Sequence, residues 1–276
     1  MMKRYKGFAT PYLIWMIVLT VVPTILMLVL SFMEIEGLVL STARFSLSAF
    51  KKTFKREYLI AFTQSIKLAG LATIFCIIIG YPVAYIISSL KIANRFSFLL
   101  VLLLPMFTNL LLRVSTINML LLPEGFMKNV FGISLNFSGT EAAVVLVMVV
   151  VYLPFMIFPI YTVLEKIDPS LIEASKDLGA NNFQTFRQVT LPLSLKGVSS
   201  GIIMVFLPCA TSFTIPYIVS KGTIKLIGNI IEEKMGLAGS HSEYPVGSLI
   251  SILILVIVLG ALYIISKVDA EGETLL

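Results

Sequence analysis

Charged positions along this chain fall in clusters, and between the clusters lie six long runs with no charge at all: Gly7 to Met33, Leu68 to Leu90, Phe96 to Leu112, Ala142 to Leu164, Gly197 to Ser220 and Tyr244 to Ser266. A helix needs about 17 to 25 apolar residues to cross the hydrocarbon core of a bilayer. Each run meets that length, so the pattern predicts an all-α membrane protein with six transmembrane helices, over about 8–32, 62–90, 96–120, 142–164, 194–216 and 244–266. No internal repeat, low-complexity stretch or second-domain boundary interrupts them, and residues 1–276 read as a single transmembrane domain. Prolines punctuate the runs: Pro23, Pro82, Pro105, Pro154, Pro159, Pro208 and Pro216. Each removes a backbone hydrogen bond that must be recovered from protein or cavity water. They suit either a bent pathway or ordinary kinking within a helix bundle.

Composition agrees with the pattern. Of 276 residues, 58% are hydrophobic and 13% charged, against about a quarter charged in soluble domains. The net charge of +6 is spread over all the connecting loops, which favours lipid headgroups and neighbouring subunits over nucleic acid. Cys76 and Cys209 sit in separate apolar runs and read as small hydrophobes, not as a disulfide. Lys and Arg divide almost evenly between the two sides, so orientation rests on the first span: Lys3, Arg4 and Lys6 before it, Glu34 and Glu36 after it. That bias places both termini in the cytoplasm. Phe50, Phe54, Tyr58 and Leu59 beside Lys51, Lys52, Lys55 and Arg56 then read as an amphipathic interfacial segment leading into the second span.

Missing chemistry narrows the function. There is no Gly-Lys dipeptide, hence no Walker A loop to hold ATP phosphates. His241, the one histidine, lies in a loop before the sixth span, and no His-based triad or His/Cys metal set can be built around it. No carboxylate sits within an uncharged run, which disfavours an ion-coupled carrier. A catalytic role is expected to be absent, as is a cofactor or metal on this chain.

The segment 166–192 joining the fourth and fifth spans carries the most information. Asp168 can cap a helix beginning at Pro169, and Gly179 can end it in the left-handed conformation. A second short helix can start at Asn181 or Asn182 and run to Val189, with Pro192 turning into the fifth span. Leu171, Ile172, Ala174, Ser175 and Leu178 give the first helix a small, apolar face beside Glu173, Lys176 and Asp177. A helix this short is marginal alone and calls for docking in a partner's groove.

Glu173-Ala174-Ser175, three residues, Gly179, nine residues, then Val189-Thr190-Leu191-Pro192 resembles the EAA loop of ABC-importer permeases of the binding-protein-dependent type. Their pattern is Glu-Ala-Ala, three residues, Gly, nine residues, Ile, any residue, Leu-Pro; Ser175 and Val189 depart from it. The resemblance implies that this loop is a coupling helix seated in a cytoplasmic ATPase subunit, with Glu173, Ala174, Ser175, Gly179, Leu191 and Pro192 as its site residues. It further implies a second, related permease subunit, two ATP-binding subunits carrying ATP and Mg, and an external substrate-binding protein. Gly80-Tyr81-Pro82-Val83-Ala84-Tyr85, Leu112-Arg113 after Asn109, Leu153-Pro154-Phe155-Met156, Leu226-Ile227-Gly228-Asn229 and Tyr244-Pro245-Val246-Gly247 resemble the spermidine/putrescine permeases of this class. Tyr217 stands where those permeases carry an acid, and Lys221 near one of their glycines. The same importer class with another small solute therefore stays open, as does an ion-coupled secondary transporter.

Polar side chains in spans turn inward for partners. The substrate path is therefore expected among Asn109, Arg113, Ser115, Thr116 and Asn118, Tyr152, and Thr211, Ser212, Thr214 and Tyr217, unless these only bond helix to helix. Arg113 lies about 27 Å along the helix from Arg95, at the outer interface, where it either snorkels or screens the pore electrostatically.

Overall fold

A computed structural model of the chain describes residues 2–35, 44–90, 92–132, 137–236 and 243–273, nearly all of them helical. His241, Glu36 and Ser240 lie outside the described residues. The chain packs as two compact units, Met1–Ala61 with Asn229–Ala261 and Phe62–Gly228 with Leu262–Leu276.

The first unit opens with α1 (Met2–Ser31). Its most apolar stretch, within Pro11–Ser31, has none of its residues buried, although Thr24, Met27 and Leu30 are half-covered and Ser31 at its end is buried. A two-stranded antiparallel ribbon follows, β1 (Met33–Glu34) against β2 (Arg44–Phe45), with Met33 opposite Phe45. The Phe32 ring holds this ribbon to α2 (Ser48–Thr53), stacking on Phe45 at 6.3 Å and tilting against Phe50 at 5.3 Å. The chain then turns at Lys55, whose carbonyl takes the Tyr58 and Leu59 amides. The expected amphipathic segment is thus two helices, with Tyr58 buried and Phe54 and Leu59 exposed. Farther on, α12 (Ile227–Met235) and α13 (Tyr244–Glu273) are joined by the Lys234–Glu243 ion pair at 2.9 Å.

The second unit surrounds α7 (Glu141–Leu164), the most enclosed of the apolar helices, with Val144, Val147, Met148, Val151, Met156, Ile157 and Ile160 fully out of solvent. Its start is fixed by the Thr140 cap, which accepts the Ala143 amide, and by α3 (Arg56–Ser89). From α3, Gln64 and Lys67 donate to the two Glu141 carboxylate oxygens at 2.5 and 2.7 Å. Along its length α7 packs on α10 (Leu191–Thr211). There Gly197 brings the two backbones close: a Cβ at that position would lie 2.9 Å from both the Ile160 Cα and the Pro159 carbonyl oxygen. Small residues at such crossings are how membrane helices gain dispersion contact.

Among the described residues, four helices are long and apolar enough to cross a membrane: Pro11–Ser31, Arg56–Ser89, Glu141–Leu164 and Asn182–Thr211. The third expected span is not one rod. It is α4 (Ile92–Leu103), a tight turn Leu104–Phe107 and α5 (Leu110–Leu121), with a bend of 98°. Pro105 lacks an amide to continue the ladder, and Asn109 restarts the helix by accepting the Leu111 amide at 2.8 Å. Counted as one bent span, this pair brings the total to five, and Tyr244–Gly260 is a shorter apolar helix. The fifth span also differs from expectation: it stops at Thr211, and α11 (Thr214–Ser220) follows. Pro216 cannot donate to the Ser212 carbonyl, so a continuous helix there would lose a bond in the break. Pro23, Pro82, Pro154, Pro159 and Pro208 all lie inside unbroken helices.

Candidate functional site

The connecting hairpin is built by local capping. Asp168 accepts the Ser170 amide at 2.9 Å, Pro169 occupies the first turn, and α8 runs Pro169–Asp177. Gly179 ends it at φ +85°, with its amide on the Lys176 carbonyl at 2.8 Å and the Ala180 amide on Ser175 at 3.1 Å. Asn181 and Gln184 then form a reciprocal capping box over α9 (Asn182–Thr185). Contrary to the expected helix to Val189, α9 ends at Thr185, and a wide turn of π geometry, Phe186–Thr190, passes directly into α10. Pro192 does not make a turn; it sits at the second residue of α10, directly after the wide turn.

No residue of α8 is buried. Glu173 and Ala174 are exposed, Ser175 is half-buried, and the Leu178 side chain is 90% exposed. Leu171, Ala174, Ser175, Leu178, Gly179 and Val189 help to line an open groove of about 460 Å³ between α8 and the following turn. Leu191 is half-buried and Pro192 exposed. The hairpin is closed by a hydroxyl pair, Ser175 Oγ to Thr185 Oγ1 at 3.1 Å, with Thr185 buried.

The backbone and side-chain hydrogen bonds with Ser170 hold the Asp168 carboxyl below its ordinary value. A depressed carboxylate adds stability above its unfolded pKa and loses it as pH falls through the folded pKa. The α8 amides should therefore exchange faster at a pH below the ordinary aspartate range, and Asp168→Asn, an uncharged but competent cap, should keep them protected there. Equal acid sensitivity of wild type and Asp168→Asn in hydrogen exchange would remove this role.

Sequence reading missed four residues behind the hairpin. Tyr81 and Tyr85, one turn apart on α3, meet the Phe186 ring in edge-to-face contacts at 5.9 and 5.4 Å with interplanar angles of 82° and 77°. The Tyr81 hydroxyl meets Ser194 Oγ at 2.7 Å. Only the Gly80 to Tyr85 stretch carried a signal in sequence, and it gave no partner.

The residues proposed for a substrate path separate into two groups. Arg113, Tyr152 and Ser212 gather where the two broken helices meet α7. The Arg113 guanidinium donates to the Thr108 carbonyl at 3.2 Å and to Val151 at 3.5 Å. Tyr152 is buried, packs on Phe155 and lies beside Ser212 and Arg113; Ser212 is also buried. Asn109 is a helix cap, while Thr116 and Thr211 bond back to their own helices and are exposed. Asn118 donates to the Ile218 carbonyl at 3.4 Å and accepts from Ser138, which is the helix-to-helix use of a polar side chain. Ser115 is half-buried and Thr214 buried, whereas Tyr217 is 66% exposed. Lys221 ends α11 in the left-handed conformation.

Residues 2–268 match the family described as binding-protein-dependent transport system inner membrane component, and the chain belongs to it. It is 32% identical over 244 residues, 86% of this chain and 84% of the relative, to the spermidine/putrescine transport system permease protein PotB of Haemophilus influenzae. The fold is similar to a chain of a bacterial ABC transporter that imports the acidic polysaccharide alginate, at a TM-score of 0.74 and 17% identity, covering 95% of each. It is also similar to a chain of the alginate transporter in complex with its pentasaccharide-bound periplasmic protein, at a TM-score of 0.72 and 18% identity, covering 93% of this chain and 92% of that one. The chain is thus a multi-pass inner-membrane permease subunit, of a family whose members are not enzymes.

Proposed function

We propose that this subunit forms half of a polyamine path, with all 276 residues acting as one six-span permease domain whose termini are cytoplasmic. The observation that carries the coupling role is α8 itself: a capped, charged-and-small helix with no buried residue and an open groove beside it. A helix of this length holds its shape in water only weakly, so docking against a partner supplies what its own chain does not. The partner is an ATP-binding subunit that carries ATP and Mg, one of two. Glu173, Ala174, Ser175 and Gly179 make the contact, and Leu191 and Pro192 root the hairpin in α10. ATP-driven closure of the ATPase pair moves the hairpin, and the spans exchange inward and outward access as rigid bodies with different affinities for substrate. A second, related permease completes the path, and an external binding protein delivers the solute. A cysteine replacing Ser170, after removal of Cys76 and Cys209, should react with an impermeant thiol reagent only from the cytoplasm; labelling from outside would reverse the orientation.

Spermidine and putrescine are the favoured substrates because the similar PotB protein is named for them. A polyamine needs anions or aromatic faces in exchange for its water. This chain supplies Tyr152 and Tyr217, and the second permease supplies the carboxylates. Arg113 and Lys221 favour the second reading, another small solute in the same importer class. A lost cation–π contact is worth about 0.5 to 2 kcal/mol, so Tyr152→Leu or Tyr217→Leu should slow polyamine uptake several-fold in vesicles containing the full transporter. Unchanged uptake in both, or an ATPase that ignores polyamines, selects the other solute and leaves the permease assignment standing.

A further inference from the structure

Tyr81 touches the chain on both sides of the wide turn that links the hairpin to α10. Its ring meets that of Phe186, the first residue of that turn, and its hydroxyl reaches Ser194, about one helical turn past the last. Ser194 Oγ already gives its proton to the Leu191 carbonyl at 2.9 Å, so Tyr81 is the donor in the shared bond. Both residues are buried, and the bond is made away from water. On the hairpin side, Thr185 precedes Phe186 directly and holds Ser175 of α8 through the hydroxyl pair. On the core side, Gly80 lets α3 lie against Met156 of α7, where an added Cβ would be 3.0 Å from the Met156 Cγ, and Gly201 of α10 rests on the same methionine. A wide turn holds one extra residue in its backbone ring, here with the Leu191 amide on the Phe186 carbonyl. Such turns are rare and recur at working positions of helices.

Resting on the coupling role proposed above, we infer that Tyr81, Tyr85 and Phe186 form the joint that passes movement of the hairpin into α3 and α10. They are positioning residues. The two tyrosine rings hold the hairpin at Phe186, and the Tyr81 hydroxyl ties α10 to α3 beyond the wide turn. Without the joint, α8 remains docked, and the wide turn absorbs its displacement before it reaches the spans.

The test needs no knowledge of the solute. In the complete transporter, with Cys76 and Cys209 replaced by alanine, Thr211→Cys reports access to the path by its rate of reaction with a soluble thiol reagent, with and without ATP and vanadate. Phe186→Leu keeps apolar bulk and loses the ring. It should retain the ATPase subunits and their hydrolysis, while the ATP-dependent change in labelling shrinks about five- to ten-fold, the size of one or two lost aromatic edge contacts. Phe186→Tyr should restore it, and Tyr81→Phe should give a decrease of about five-fold, that of one hydrogen bond. A labelling change that survives in Phe186→Leu, or that falls only in proportion to hydrolysis, overturns the joint. Should Phe186→Leu fail to assemble, Tyr85→Leu gives the decision by the same ratio, and failure of both to bind the ATPase also overturns it. Absence of any ATP-dependent change in the parent Thr211→Cys transporter would instead remove the coupling role, and the joint with it.

Discussion

Gly179→Asp should insert into the membrane at the wild-type level and lose at least ten-fold of the ATPase that co-purifies with, or is stimulated through, the permease. Two costs add at this position. Gly179 sits at φ +85°, a conformation that costs a side-chain-bearing residue about 1 to 2 kcal/mol. Nothing among the described residues lies within 4 Å of a Cβ built there, so the space beside it is open for a partner to dock. Covering an unpaired carboxylate there costs several kcal/mol more, about the penalty of an uncompensated buried charge. Gly179→Ala carries the backbone cost alone and should show a smaller defect. Normal solute-stimulated hydrolysis by Gly179→Asp in the reconstituted transporter would take the hairpin out of the coupling role.

Gly197→Leu should destabilise the subunit outright. The Cβ of any residue there meets backbone on the opposite helix, the Ile160 Cα and the Pro159 oxygen each at 2.9 Å, with Val163 Cβ at 3.2 Å. Backbone cannot rotate aside as a methionine side chain can, so α7 and α10 must separate along their shared face. Overpacking of this kind costs about 3 kcal/mol, and a melting temperature in detergent should fall by roughly 5 to 10 °C, with Gly197→Ala intermediate. Gly70→Ala is the control: it lies inside α3 with nothing from other described elements within 4 Å of its Cβ and gains helix propensity. Equal melting of Gly197→Leu and wild type would mean that the two helices do not approach this closely.

The hairpin was legible because its signals are local. Asp168, Pro169, Gly179 and Asn181 each fix a helix end through groups only two or three residues away, and such groups can be read in order along a chain. The broken spans were less so. Seven prolines all cost a hydrogen bond, yet the helix stops only near Pro105 and Pro216, where Asn109 caps the restart of one and Ser212 goes extended in the other. Which proline breaks a helix depends on what receives the freed groups, and hydropathy does not record that. Tyr81 and Ser194 lie 113 residues apart, so their bond has no periodicity to announce it. Among the proposed path residues, polarity alone does not separate Arg113 and Tyr152, gathered at the breaks, from Asn118, occupied in holding helices together.

Two of the helices answer to different rules of substitution. In α7 the side chains are enclosed by their own chain, so volume and shape decide what each position accepts, and exchanging Val147 or Ile160 for a larger residue carries the cost of overpacking. In α1 none of the apolar stretch is buried, and only hydropathy is demanded of a face that lipid covers. A library randomised among Leu, Ile, Val, Phe and Met should therefore retain function at most positions of α1 that stay lipid-facing in the assembled transporter and reject most changes in α7. Positions of α1 that behave like α7 would trace, residue by residue, the strip along which another subunit lies.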